Sequence, residues 1–342
     1  MIGIGVIGFG YWGPNLVRNF DEIPGTRVVG ICEHHPERLA HAHNIYPAIE
    51  TTTNYLDLVV DTRIDAIVIA TPAFTHFELG MEVLRAGKHV LIEKPLAETS
   101  DQAARLIVEA GRHHCVLMVD HTFIFTSAVR KMRELVANYG VGDIFYYDAV
   151  RANLGPHRHD VSAIWDLAVH DLTIMDYVLP FRPTAVSATG LSNVPGEPEN
   201  IAHITVFFDG SFIAHIQVTW MAPVKVRRTV IGGSGKMILY DDIEPIEKLK
   251  VYDSGIMNNK NAESANQMLA TYRTGDMLVP KLDTTEPLRT AALHFLQCIE
   301  EGGRPLTDGE AGLRVVRILE AATQSMAEWG KPVELYTARL AT

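Results

Sequence analysis

Cysteine is scarce in this sequence: Cys32, Cys115 and Cys298 are three, odd in number and widely spaced. Disulfide frameworks and thiolate zinc sites need paired or clustered cysteines, so both are set aside and the three are expected as buried thiols. Positive charge is also short. There are 30 Lys and Arg against 41 Asp and Glu, a formal charge of −11. A nucleic acid or an anionic membrane demands basic patches, so neither is expected as a partner. No apolar run reaches the ~18 residues that span a bilayer. The chain opens straight into a strand-like run, without a basic segment and cleavage site, which suggests a cytoplasmic protein. Apolar residues are ordinary in amount at 47%, and a length of 342 residues suits roughly two domains.

The richest stretch is the first thirteen residues. Ile2, Ile4, Val6 and Ile7 form an apolar run that breaks into Gly8, Gly10 and Gly13, and a helical pattern with Pro14 in its first turn follows. In such a strand–turn–helix, Gly8 permits the tight reversal, Gly10 lets the backbone approach a pyrophosphate, and Gly13 lets helix and strand pack closely. The helix N-terminus supplies free N–H groups for the phosphates. A second buried strand, Arg27 to Cys32, ends at Glu33, 20 positions beyond Gly13, where a dinucleotide fold places an acid on the ribose hydroxyls. Glu33 would repel a 2′-phosphate, and His34, His35 and Pro36 bring no arginine to receive one, so NAD is expected over NADP.

Helix and strand keep alternating as far as Val119. Pro36 to Asn44, Tyr55 to Asp61, Thr75 to Ala86 and Ser100 to His114 read as helices, and Asp65 to Ala70, Lys88 to Ile92 and Val116 to Val119 as buried strands. That pattern predicts a doubly wound parallel sheet over 1–121. From 122 to 342 the grammar changes. Ser127 to Tyr139 is an amphipathic helix, then Ile144 to Asn153, Thr184 to Leu191, Ala202 to Asp209, Ser211 to Trp220, Val226 to Ile231 and Lys236 to Tyr240 read as strands. Asp209-Gly210 and the glycines around Ser234 read as hairpin turns. One helix, Trp165 to Leu179, interrupts the strands. Asp253 to Asp283 is expected as a loop with little regular structure, and Pro287 to Glu301 and Asp308 to Trp329 as closing helices. The second domain is therefore expected to be α+β, an open and mainly antiparallel sheet covered by helices.

Ligands of doubly wound folds bind beyond the carboxyl ends of the strands. There stand Ala70-Thr71-Pro72 and Glu93-Lys94-Pro95, and Lys94 reads equally as a surface salt-bridge residue or as a group facing nicotinamide and substrate. The candidate cofactor set is Gly8, Phe9, Gly10, Tyr11, Trp12, Gly13, Glu33, Thr71, Pro72, His76, Glu93 and Lys94. In the second domain Asp166 and His170 stand at i and i+4, on one helical face, where a carboxylate can orient an imidazole as an acid/base.

Gly8-x-Gly10-x-x-Gly13, Ala70-Thr71-Pro72, Glu93-Lys94-Pro95 and Asp166-x-x-x-His170-Asp171, in this order, resemble the glucose–fructose oxidoreductase/inositol dehydrogenase/rhizopine catabolism (Gfo/Idh/MocA) family. The resemblance runs through essentially the whole chain. It implies a Rossmann domain joined to an open-faced sheet domain, with nicotinamide chemistry in the cleft between them. It also implies a catalytic triad of Lys94, Asp166 and His170: His170 as acid/base, Asp166 as its partner and a substrate ligand, Lys94 as the cation on the reacting oxygen. The expected reaction is hydride transfer between NAD(P) and a secondary alcohol of a sugar. Inositol or free-sugar dehydrogenase, NAD-dependent glycosidase or lyase, and a non-enzymatic dinucleotide-binding regulator are the alternatives.

Arg151, Asn153, His157, Arg158 and Trp165 join the triad as candidate substrate residues. Their cations can hold an acid or a diphosphate, and the phrase resembles family members that oxidise nucleotide-linked sugars. His157-x-His159-Asp160 as a metal site is set aside, so no metal is expected. A homodimer or homotetramer through the open sheet is expected.

Overall fold

The computed structural model describes residues 1–138, 140–155, 159, 161–210, 212–258 and 270–335. Its first part alternates strand and helix: β1 (Ile2–Ile7), α1 (Gly13–Glu22), β2 (Thr26–Cys32), α2 (Pro36–Ile45), β3 (Glu50–Thr52), α3 (Tyr55–Val60), β4 (Ala66–Ile69), α4 (His76–Arg85), β5 (His89–Glu93), α5 (Ser100–Arg112) and β6 (Leu117–Asp120). The six strands pair in the order β3-β2-β1-β4-β5-β6, all parallel. This is the Rossmann order, with its switch point between β1 and β4. Ala66 to Ile69 are at most 1% exposed, as strands covered on both faces must be. The short strand β3 carries no apolar run, which is why its sequence does not announce it.

The second part contains α6 (Ser127–Asn138), β7 (Ile144–Leu154), a π-helical turn (Ile164–Ala168) running into α7 (Val169–Val178), β8 (Pro183–Leu191), β9 (Ile201–Phe208), β10 (Ile213–Thr219), β11 (Met221–Gly233), β12 (Met237–Asp241) and β13 (Leu249–Tyr252). After them come β14 (Gly255–Asn258), β15 (Ala270–Arg273), β16 (Met277–Leu278), α8 (Pro287–Glu301), α9 (Gly309–Ala327) and β17 (Val333–Glu334). A nine-stranded sheet runs β16-β13-β12-β11-β7-β10-β9-β8-β17. Only β7 and β10 pair in parallel, so the sheet is mainly antiparallel as expected. Alternation sets its faces: Ala202, Ile204 and Val206 of β9 are buried while His203 between them is exposed.

The expected loop over Asp253 to Asp283 is partly built. β14 and β15 pair as a two-stranded ribbon, and β16 adds to β13 at the sheet edge. An ion pair at 2.7 Å between Arg273 and Asp253 ties the ribbon's base. Such an edge extension depends on a partner strand and has no apolar alternation of its own.

Contacts divide the chain into two compact units, 1–125 with 285–317 and 126–284 with 318–342. The return of 285–317 to the first unit has a clear local cause. Thr307 brackets β6: its carbonyl accepts the Val119 N–H at 2.8 Å and its hydroxyl donates to the Val119 carbonyl at 2.7 Å. Phe295 of α8 also meets Phe20 of α1 edge to face, with centroids 6.4 Å apart. Cys32 and Cys298 are buried, whereas Cys115 is half-buried, and all three are free thiols.

Candidate active site

The glycine loop after β1 shows three different needs. Gly8 has φ +99°, and a Cβ there would lie 2.7 Å from the Ala70 carbonyl oxygen. A Cβ on Gly13 would overlap the Gly8 carbonyl, so this glycine is needed for packing. At Gly10 a Cβ would meet only Arg38 Nη1, at 3.7 Å, so the fold leaves that side open. No side chain caps α1 and its first turn holds no acid, which leaves the amides at its N-terminus for an anion. Tyr11 and Trp12 are exposed on the loop, edge to face at 5.3 Å. Phe9 is different: its ring is buried in the core, and only its backbone can serve the loop.

That backbone is held by Glu33. The Phe9 N–H donates to Glu33 Oε2 at 2.8 Å and the His35 N–H donates to Oε1 at 2.9 Å. Burial pushes the Glu33 carboxyl up, but these two N–H groups and the Arg38 charge outweigh it and hold the acid below its ordinary range. Arg38 lies beyond the three residues that directly follow Glu33, and no local sequence pattern marks it. The first turn of α2, opened by Pro36, carries it back to the glycine loop.

The strand ends form a second, linked layer. Thr71 Oγ1 and Thr75 Oγ1 are 2.6 Å apart, and exposed Pro72 lies between them in sequence. His76 is 1% exposed, with Nε2 2.9 Å from the Thr71 carbonyl and Nδ1 2.8 Å from the Pro95 carbonyl. It therefore joins the exit of β4 to the exit of β5 and leaves neither nitrogen facing solvent. Burial keeps the ring below its ordinary range despite the two carbonyls. Lys94, half-buried, precedes Pro95 through a cis peptide bond. Glu93 turns inward and is buried beside Asp120, a residue that the sequence pattern had not singled out.

In the second unit, Asp166 lies in the π-helical turn and His170 in the first turn of α7. Both are half-buried, on the less covered side of a segment whose Ile164, Ala168, Val169, Leu172 and Met175 are buried. A π turn within a helix is often found at functional sites. Trp165, also half-buried, donates its indole N–H to Thr323 Oγ1 at 3.0 Å and so ties this turn to α9.

Arg151 stands apart from its expected role. It is 3% exposed, and its Nε and Nη2 meet the Asp171 carboxylate at 2.7 and 3.0 Å. The inward face of β7 carries it, so it anchors the residue next to His170, whereas the expectation was a cation for an acid or a diphosphate of the substrate. Asn153, near the end of β7, is half-buried. His157 and Arg158 lie outside the described residues. His159 Nδ1 is 2.8 Å from Glu197.

A Rossmann sheet with this glycine loop, this acid and a lysine after β5, followed in the chain by a mixed sheet domain with an Asp/His helix turn, defines a dinucleotide-binding oxidoreductase class. Residues 2–121 match the model described as oxidoreductase family, NAD-binding Rossmann fold, and residues 129–238 match the GFO/IDH/MocA C-terminal domain. The chain belongs to the Gfo/Idh/MocA oxidoreductase family. UDP-N-acetylglucosamine 3-dehydrogenase of Acidithiobacillus ferrooxidans is 24% identical over 318 residues, 91% of this chain and 93% of that protein. The 1,5-anhydro-D-fructose reductase of Ensifer adhaerens is 27% identical over 324 residues, 89% and 91% of the two chains. A levoglucosan dehydrogenase solved with NADH shares the fold with a TM-score of 0.82 at 19% identity, covering 98% of this chain and 99% of that one. Among the described residues, no helix is long and apolar enough to cross a membrane.

Proposed function

We propose that this protein transfers hydride between NAD and a secondary alcohol of a sugar, with a nucleotide sugar as the substrate class. The observation that carries the reading is Lys94 at the carboxyl end of β5, where the fold receives a dinucleotide, in one chain with the Asp166/His170 turn. His170 takes the hydroxyl proton while the carbinol hydride leaves, and the alcohol becomes a ketone. Asp166 orients the imidazole and stabilises it once protonated. Lys94 polarises the reacting oxygen. Gly8, Gly10 and Gly13 receive the pyrophosphate, and Glu33 accepts ribose hydroxyls. When bound, the nicotinamide accepts the hydride.

The ionised Glu33 supports NAD over NADP, because a carboxylate repels a 2′-phosphate. Arg38 works against that preference and keeps it finite. The nucleotide sugar is supported by similarity to the UDP-N-acetylglucosamine 3-dehydrogenase and by the cation that the sequence carries at Arg158, while Arg151 is held by Asp171. The half-exposed face of β9 and β10 supports a homodimer or homotetramer through the second unit.

The test is a screen of UDP- and dTDP-sugars, inositols and free sugars with NAD and NADP, read as NADH or NADPH formation. Turnover on a nucleotide sugar, lowered about 10²- to 10⁴-fold by His170→Ala with NAD binding retained, is the expected result. Turnover on free sugars alone overturns the substrate class. A cleaved sugar without net NADH assigns a glycosidase, and saturable NAD binding without any turnover assigns a regulator.

A further inference from the structure

Glu93 ends β5 and Asp120 ends β6, and the two are register partners in the parallel sheet. They are 9% and 2% exposed. The Lys94 backbone N–H donates to Glu93 Oε2 at 3.2 Å, and the Thr122 hydroxyl donates to Asp120 Oδ1 at 2.8 Å. Asp120 Oδ2 meets no N–H or O–H donor among the described residues, yet it is buried. The two carboxyls are within hydrogen-bonding reach of each other. Two ionised carboxylates in such a place repel and leave an acceptor unsatisfied. A proton on Glu93 removes the repulsion and supplies the missing donor.

We propose that Glu93 and Asp120 share one proton and present a single negative charge to the Lys94 ammonium, as its positioning pair. The meaning for catalysis rests on the role given to Lys94 above; the shared proton does not. Burial is the first cause that raises both acids; Asp120 pushes Glu93 up further, whereas the hydrogen bonds from Thr122 and Glu93 hold Asp120 down, so the proton belongs on Glu93. His76 and His121 also feel the Lys94 charge. Both are held neutral by burial, His121 pushed down to about 3, so neither imidazole competes with the dyad as a charge in this corner.

The pair makes an unusual demand on a mutant cycle. Glu93→Gln leaves an amide donor to an ionised Asp120, and Asp120→Asn leaves an amide donor to an ionised Glu93. Each single variant therefore keeps one hydrogen bond and one negative charge, and only the double variant removes the charge. Infrared spectra of the full-length protein at neutral pH should contain a buried carboxylic-acid C=O band that both single variants lose. Acylation of Lys94 by an amine reagent at fixed pH, read peptide by peptide by mass spectrometry, should stay within about twofold in each single variant and rise about tenfold in the double. If the double variant does not fold, Glu93→Gln with Asp120→Ser reads the same charge loss. Absence of the acid band in the native protein, or its persistence in both single variants, overturns the shared proton. Unchanged Lys94 acylation after the charge is removed overturns the positioning role. Neither readout needs a sugar to be turned over, so failure of the dehydrogenase reading is scored separately by the substrate screen.

Discussion

The Phe9 backbone N–H donates to Glu33 Oε2 at 2.8 Å, so the acid that follows β2, proposed to meet the ribose, also holds the glycine loop. Its replacement should disturb affinity and selectivity together. Glu33→Ser is expected to lower the ratio of NAD to NADP affinity about tenfold, the size of one charged contact. Arg38→Ala added to it should then weaken NADP. Titration calorimetry with both dinucleotides measures this, and an unchanged ratio refutes the assigned role. The pH dependence follows from the lowered acid: its stabilisation is present above the unfolded carboxylate range and is lost as pH falls through the folded value. Loop order and NAD affinity should hold from pH 8 to pH 5 and fall below about pH 4.

Gly10 and Gly13 should separate binding from folding. Gly10→Ala adds a methyl where only Arg38 Nη1 stands, at 3.7 Å, so thermal stability should change by less than about 0.5 kcal/mol while NAD binding drops. Gly13→Ala drives a methyl into the Gly8 carbonyl and should cost about 1–3 kcal/mol before any ligand is added. Equal stability loss in the two variants is the outcome that contradicts this division.

The buried Arg151–Asp171 pair should behave as an anchor for α7. Removing one partner, as in Arg151→Met, leaves the other charge buried and is expected to cost about 3–5 kcal/mol in denaturant unfolding. Arg151→Met with Asp171→Leu should recover part of that loss. A stable Arg151→Met protein with a raised KM alone would return Arg151 to the substrate set.

The Glu93–Asp120 dyad also has a signature in stability. Because the folded state binds more protons here than the unfolded chain, the dyad's contribution falls as pH rises above the ordinary carboxylate range. Glu93→Gln removes that penalty. The Tm of the variant relative to the native protein should therefore climb from pH 5 to pH 8, and a constant difference across that range argues against the shared proton.

Much of this molecule is legible in its residues because the signals are local. The run from Ile2 to Gly13, the buried strand ending at Glu33 and the alternation of β9 and β10 each sit within a few turns of chain. Arg38 was harder, since it returns to Gly10 only through the direction of α2. The partner of Arg151 is not legible in the sequence, because a cation in a strand looks the same whether its side chain faces solvent or a buried Asp171. Likewise β14, β15 and β16 exist through pairing, and nothing in their own composition requires it.

By itself, then, the sequence determined the parallel sheet, the glycine loop, the acid after β2 and the family, because periodicity and turn chemistry act over short distances. Only the tertiary structure decided which charged groups are free to act. It turned Glu93 inward onto Asp120, gave Arg151 to Asp171, seated both nitrogens of His76 on carbonyls and brought Arg38 to the glycine loop. The physical reason is that burial and hydrogen bonding of a charge depend on neighbours far along the chain, and those neighbours set its protonation and its reach.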